Sequence, residues 1–154
     1  RPRLPWRRSV LPLPAGGRPV TGVATDALRV AAERAMASAY APYSKFRVGA
    51  ALLGADGATY SGCNVENSSY PAGCCAERNA LGAAINAGCA TFEALAIVTD
   101  AETPTPPCGM CRQALVEFAP SLPVASYTTR GGEARWSLAD LLPAPFTGTS
   151  LGHR

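Results

Sequence analysis

Cys75-Ala76-Glu77-Arg78-Asn79-Ala80-Leu81-Gly82-Ala83-Ala84-Ile85-Asn86-Ala87-Gly88, followed by Ala94-Leu95-Ala96-Ile97-Val98-Thr99, is the stretch on which the fold class turns. The first run predicts a helix over 75–87, with Gly88 placed to terminate it and alanine pairs such as Ala83-Ala84 marking close helix packing. The second run is apolar without alternation, the pattern of a strand covered on both faces. A helix feeding a doubly covered strand points to layered α/β architecture.

Working outward from that unit gives the remaining elements. Thr25 can cap a helix in which Leu28, Ala31, Ala32, Ala35 and Ala39 recur at helical spacing up to Tyr40, where Pro42 ends it. Phe46–Leu53 and Ala58–Val65 read as a hairpin about the Asp56-Gly57 turn, with residues 66–74 as a loop. Downstream, prolines 104, 106 and 107 precede a short helix over 108–118. Strands over 123–127 and 134–138 flank the Gly131-Gly132 turn, and 138–142 forms a last helical turn. The order αββαβαββ predicts a three-layer sandwich around a mixed five-stranded sheet.

The chain divides unevenly in charge. Residues 1–22 hold Arg1, Arg3, Arg7, Arg8 and Arg18 with no acid, so the other nine basic residues face all eleven acidic ones. The body is mildly acidic and offers a polyanion no general attraction, so no nucleic-acid partner is expected. Five prolines in the same 22 residues exclude a stable helix and read as a disordered arm, with an arginine-rich targeting peptide as the rival. The domain proper is expected over 23–147, with a tail over 148–154. No apolar run nears the ~20 residues of a membrane span, and no apolar signal region follows the first arginines. With six cysteines in a chain long enough to build a core, a disulfide framework is possible but not required. Reduced thiols, a cytoplasmic location and no membrane partner are the expectation.

The chemistry gathers at two helix mouths. Pro107-Cys108-Gly109-Met110-Cys111 puts two thiols at i and i+3 on one face of a first helical turn, and Cys75 opens the earlier helix. Helix N-termini stabilise thiolates, the metal-binding form of cysteine. Three thiolates leave one position of a tetrahedral zinc site open, the arrangement of a catalytic centre. One Zn2+ per chain, on Cys75, Cys108 and Cys111, is therefore expected. Cys74 points about 100° away from Cys75 in a helix, so only one of the two reaches the metal. Cys75 is favoured because Glu77 lies two residues beyond it. If Cys75 sits in the non-helical cap, both can approach the open position, where a carboxylate can shuttle protons. A lone Cys-x-x-Cys is equally a redox or structural motif, and a lone Cys-Ala-Glu carries little. The two together at helix starts are specific. The only histidine, His153, lies in the tail, which argues against a histidine ligand. Cys63 and Cys89 read as small buried apolar residues.

These motifs resemble the small, homotetrameric, three-cysteine cytidine deaminases. The likeness starts at Ala41-Pro42-Tyr43-Ser44-Lys45-Phe46-Arg47-Val48-Gly49-Ala50-Ala51-Leu52 and runs through Gly62-Cys63-Asn64-Val65-Glu66-Asn67 and Tyr70-Pro71. It continues in Cys75-Ala76-Glu77-Arg78 and Pro107-Cys108-Gly109-Met110-Cys111-Arg112-Gln113, and closes on Leu141-Leu142-Pro143 with Phe146. The resemblance covers about residues 24–147. It implies hydrolysis of the exocyclic amine of free cytidine or deoxycytidine, in pyrimidine salvage, with Glu77 as the catalytic group. It also implies that Asn64 and Glu66 bind the ribose hydroxyls, that Phe46 packs on the base and that Tyr70 lines the sugar end. By the same resemblance, Phe146 reaches a neighbouring subunit's pocket in a homotetramer. Taken singly, Asn64 also suits a turn and Phe46 also suits a core. Zinc with three thiolates carries a formal charge of −1, which an arginine donating to the thiolates would offset, and the resemblance assigns that position to Arg78. Two other readings remain: action on a cytosine-containing antibiotic or a polynucleotide, and a non-catalytic zinc or redox module. The latter leaves Glu77 without a purpose.

Overall fold

The computed structural model describes residues 22–152. The expected arm lies outside the described residues except for Gly22, and so does His153. The elements are α1 (Gly22–Ala37), β1 (Val48–Gly54), β2 (Thr59–Cys63), α2 (Ala76–Asn86), β3 (Phe92–Thr99), α3 (Gly109–Val116), β4 (Pro123–Thr128), β5 (Glu133–Ser137) and α4 (Leu138–Leu141). Single 3-10 turns lie at Tyr70–Ala72 and Gly148–Leu151.

The five strands form one sheet in the order β2-β1-β3-β4-β5. β1 pairs antiparallel with both β2 and β3, β3 runs parallel to β4, and β4 pairs antiparallel with β5. The sheet is therefore mixed, as expected. Its central strand explains the unalternating sequence of β3. Leu95 and Ile97 enter one core cluster with residues of α2 and α3, while Ala94, Ala96 and Val98 enter the other with α1. Every second side chain serves a different layer, so both registers must be apolar.

α1 covers one face through Leu28, Ala32 and Met36, spaced at i, i+4 and i+8 and all buried. Burial of Leu28 and Met36 stabilises by roughly 1.5–3 kcal/mol each. Thr25 lies within the helix, where the sequence suggested a cap. On the opposite face, α2 approaches β2 so closely that a Cβ at Gly62 would stand 2.5 Å from the Ala80 nitrogen and 2.7 Å from the Ala76 oxygen. Only glycine permits that approach, which fixes the height of α2 above the sheet. Gly88, at φ +88°, takes the left-handed conformation that closes α2. Among the described residues, no helix is long and apolar enough to cross a membrane.

Candidate active site

Both metal-ligand cysteines at helix mouths occupy N-cap positions. Cys75 caps α2 with φ −74° and ψ 155°, and Cys108 caps α3 with φ −66° and ψ 167°. Neither thiol caps its own helix by a side-chain hydrogen bond, so both are free to turn toward each other. The Cys75 and Cys108 sulfurs lie 3.8 Å apart, and those of Cys108 and Cys111 lie 3.5 Å apart. All three sulfurs fall within 4.8 Å of one another, the one such cluster of metal-ligating atoms found among the described residues. Tetrahedral zinc with Zn–S bonds of about 2.3 Å requires sulfurs about 3.8 Å apart. The donor set fits zinc in chemistry and in spacing.

The neighbouring groups also set the protonation. Hydrogen bonds from the Cys111 and Cys108 thiols hold the Cys75 thiol down to about 5, against burial, with Arg78 adding its charge. Cys111, the donor in that pair and itself buried, is pushed upward. The cluster thus holds a thiolate at neutral pH.

Glu77 stands in the first turn of α2 and is 5% exposed. Burial raises its carboxyl above the usual range, and the Cys75 thiolate adds to the rise. It faces a small inner cavity of about 160 Å³ whose walls include Phe46, Asn64, Cys75, Thr99 and Cys108. Of the residues named from sequence, Phe46, Asn64, Glu77 and two of the three ligand cysteines therefore meet at one spot. An outer cavity of about 690 Å³ adjoins it, sharing Asn64 and Cys75 and lined further by Glu66, Tyr70 and Arg78. Phe146 lines neither of these cavities of its own chain; the residue is 58% exposed.

Asn64 and Glu66 each have a visible structural task. Asn64 Oδ1 accepts from the Val48 amide at 2.8 Å and its Nδ2 donates to the Phe46 carbonyl at 2.8 Å, which fixes the start of β1. Glu66 Oε2 accepts from the amides of Tyr43 at 2.9 Å and Ser44 at 3.2 Å, and Oε1 accepts from the Ser44 hydroxyl. The Ser44 hydroxyl first, then these amides, keep the Glu66 carboxyl below its ordinary value. Lys45 between them sits at φ +59°, the left-handed turn that swings Phe46 back toward the inner cavity. An amide and a carboxylate both keep lone pairs or N–H groups to spare beyond these contacts.

Arg78 donates from Nη2 to the Gly73 carbonyl at 3.2 Å, while its buried Nε has no partner among the described residues. Cys74 lines the outer cavity and is absent from the sulfur cluster. Cys89 is buried as expected, whereas Cys63 is only half-buried and donates to the Ser38 carbonyl at 3.4 Å. Sequence reasoning missed Ser44, Tyr43 and Thr99. Tyr43 stacks edge-on with Tyr70, ring centroids 6.3 Å apart, at the mouth of the outer cavity. The signal for Ser44 was its place within the motif at 41–52.

Residues 24–126 match the family model described as the cytidine and deoxycytidylate deaminase zinc-binding region. The cytidine deaminase of Sporosarcina psychrophila is 47% identical over 122 residues, covering 79% of this chain and 90% of that protein. Among solved structures, the cytidine deaminase of Burkholderia pseudomallei superposes with a TM-score of 0.75 at 47% identity, covering 79% of this chain and 98% of its own. The Mycobacterium tuberculosis enzyme gives 0.70 at 41% identity, covering 81% and 98%.

Proposed function

The chain belongs to the cytidine and deoxycytidylate deaminase family, and from that premise we propose how its residues divide the work of deamination. The reaction is the zinc-dependent hydrolysis of cytidine, or deoxycytidine, to the uracil nucleoside and ammonia, a step of pyrimidine salvage. Cys75, Cys108 and Cys111 hold the metal. Zinc bound there supplies the Lewis acidity that makes water nucleophilic near neutral pH.

The observation that carries the assignment is Glu77, a buried carboxyl facing the same cavity as two ligand thiols. Glu77 takes a proton from the attacking water and places it on N3 of the pyrimidine as the oxygen bonds to C4. It then takes the remaining proton from the new C4 hydroxyl and delivers it to the exocyclic nitrogen, and ammonia leaves as the C4 carbonyl forms. Its raised affinity for protons suits a group that must both accept and return them. Phe46 packs on the base in the inner cavity, and Asn64, Glu66 and Tyr70 receive the sugar with the hydrogen-bonding capacity that the loop leaves free. Arg78 offsets the negative charge of the thiolates.

The working form is a homotetramer. Tyr40, Tyr43, Val65, Tyr70, Met110 and Phe146 are all large, apolar and exposed, surface available for neighbouring chains to cover. Phe146 of one chain then closes the outer cavity of the next. Cytoplasmic residence accords with a site that needs reduced thiols, and the acidic body leaves nucleic acid outside the substrate class.

Ammonia release from cytidine tests the reading. Glu77→Gln keeps the size and removes the shuttle, so it should retain zinc and lose 10²–10⁴-fold in kcat. A loss below about tenfold would remove Glu77 from the role.

A further inference from the structure

Phe146 presents an unusual combination: its ring is exposed while its backbone is tied down. Residues 142–147 form no helix or strand, and Pro143 and Pro145 remove two backbone donors from the segment. Two successive residues of α3 hold it to the domain. Gln113 Nε2 donates to the Phe146 carbonyl at 2.6 Å. Arg112 donates from Nη1 to the Leu141 carbonyl at 2.8 Å and from Nε to the Pro107 carbonyl at 2.7 Å. Each end of the irregular segment thus has its own tie to one short helix.

The fork of Arg112 matters because Pro107 is the buried residue immediately before the ligand Cys108. One planar guanidinium bridges the loop that presents the metal thiol and the start of the segment that presents the aromatic ring. Lysine, with one flexible nitrogen, lacks the fixed fork needed to span both carbonyls. Gln113 then fixes the far end, at the carbonyl of Phe146 itself.

We propose that Gln113, with Arg112, is a positioning residue for substrate affinity: it sets the place of Phe146 by holding that residue's carbonyl to α3. This rests on the proposed function, in which Phe146 closes a neighbouring chain's cavity. Gln113 then acts on KM without touching substrate, because a loosened segment leaves the aromatic wall to be ordered at the moment of binding. A neutral hydrogen bond is worth a net ~0.5–1.5 kcal/mol, or about two- to tenfold in affinity.

The test is a double-mutant cycle on the zinc-loaded enzyme with cytidine. Gln113→Met keeps the length and removes the donor; it should raise KM about two- to tenfold with kcat and zinc content unchanged. Gln113→Glu turns an acceptor toward the Phe146 carbonyl and should raise KM further. In a Phe146→Ala background, which itself has a raised KM, both substitutions should become silent. A general folding role for Gln113 would leave their effects intact there, and that result overturns the proposal. A silent Gln113→Met beside an elevated KM for Phe146→Ala overturns it too while sparing the shared pocket. Silence of Phe146→Ala removes the shared pocket and this proposal together.

Discussion

Gly62→Ala isolates the contact that sets the height of α2 above the sheet. By backbone propensity alone the change should help, because glycine within a strand costs roughly 0.5–1 kcal/mol relative to alanine. The packing opposes it. The added Cβ would lie 2.5 Å from the Ala80 nitrogen, 2.7 Å from the Ala76 oxygen and 2.8 Å from the Asn79 carbonyl carbon. All three are backbone atoms of α2, so no side chain can rotate away. Ordinary contact for a carbon begins near 3.4 Å, so α2 must lift from β2 by about 1 Å. Overpacking of this kind typically costs about 1–3 kcal/mol, more than propensity returns. α2 carries Cys75 at its cap and Glu77 in its first turn, and a displacement of about 1 Å can cost ~10²-fold in rate. Gly82→Ala is the matched control: it is on the same helix, and its Cβ would meet nothing within 4 Å. It should gain about 0.5–1 kcal/mol with kcat/KM unchanged. Urea denaturation and steady-state kinetics on both variants, each loaded with zinc, decide the matter. A Gly62→Ala enzyme as stable and as fast as the parent would refute the claim that this close approach positions the helix.

Three further outcomes are expected from the site and its surroundings. Single alanine substitutions at Cys75, Cys108 and Cys111 should each lower zinc content measured by atomic absorption, whereas Cys74→Ala should retain one zinc per chain with normal turnover. Arg78→Ala removes a positive charge that helps hold both Glu77 and Cys75 in their ionised forms. The acidic limb of its pH–rate profile should therefore move to higher pH, and an unmoved limb with normal turnover would remove Arg78 from the charge-offsetting role. Burial alone would raise Asp100, but its bonds to the Arg47 side chain and amide outweigh that and leave it depressed. A carboxyl with a depressed folded pKa contributes stability above its unfolded value near ~3.9, lost as pH falls through the folded value. Arg47→Met should thus narrow the gap in Tm between pH 7 and pH 3, and an unchanged gap would count against the pair.

The sulfur cluster and the place of Glu77 beside it were legible because they are built from local signals. A helix mouth announces itself in sequence, and a thiol placed there gains both stabilisation as thiolate and freedom to turn outward. Cys75 and Cys108 are N-caps, and Cys111 follows at i+3, so two short motifs contained the sulfur triangle before any tertiary contact was considered. The doubly buried strand β3 was equally plain, because a strand covered on both sides has no room for polar alternation.

The walls of the two cavities were legible only in part, since their residues take meaning from partners far along the chain. Ser44 and Glu66 are 22 residues apart, and neither predicts the other. Their bond exists because β1 and β2 form a hairpin and the loops at its open end converge. The same convergence gives Asn64 its contacts with Phe46 and Val48. Read alone, Asn64 suits a turn and Glu66 suits a binding site. In the fold each brings side-chain acceptors to the 43–48 loop, and Asn64 adds a donor. This dual use has a physical rationale. Under the proposed function, in which these groups receive the sugar, a loop pinned by them holds them oriented before the ligand arrives, which limits the ordering that binding would otherwise require. The left-handed Lys45 belongs to the same construction: a non-glycine residue in that region persists only when its surroundings fix it, and the Glu66 carboxylate with the Asn64 amide supply that constraint.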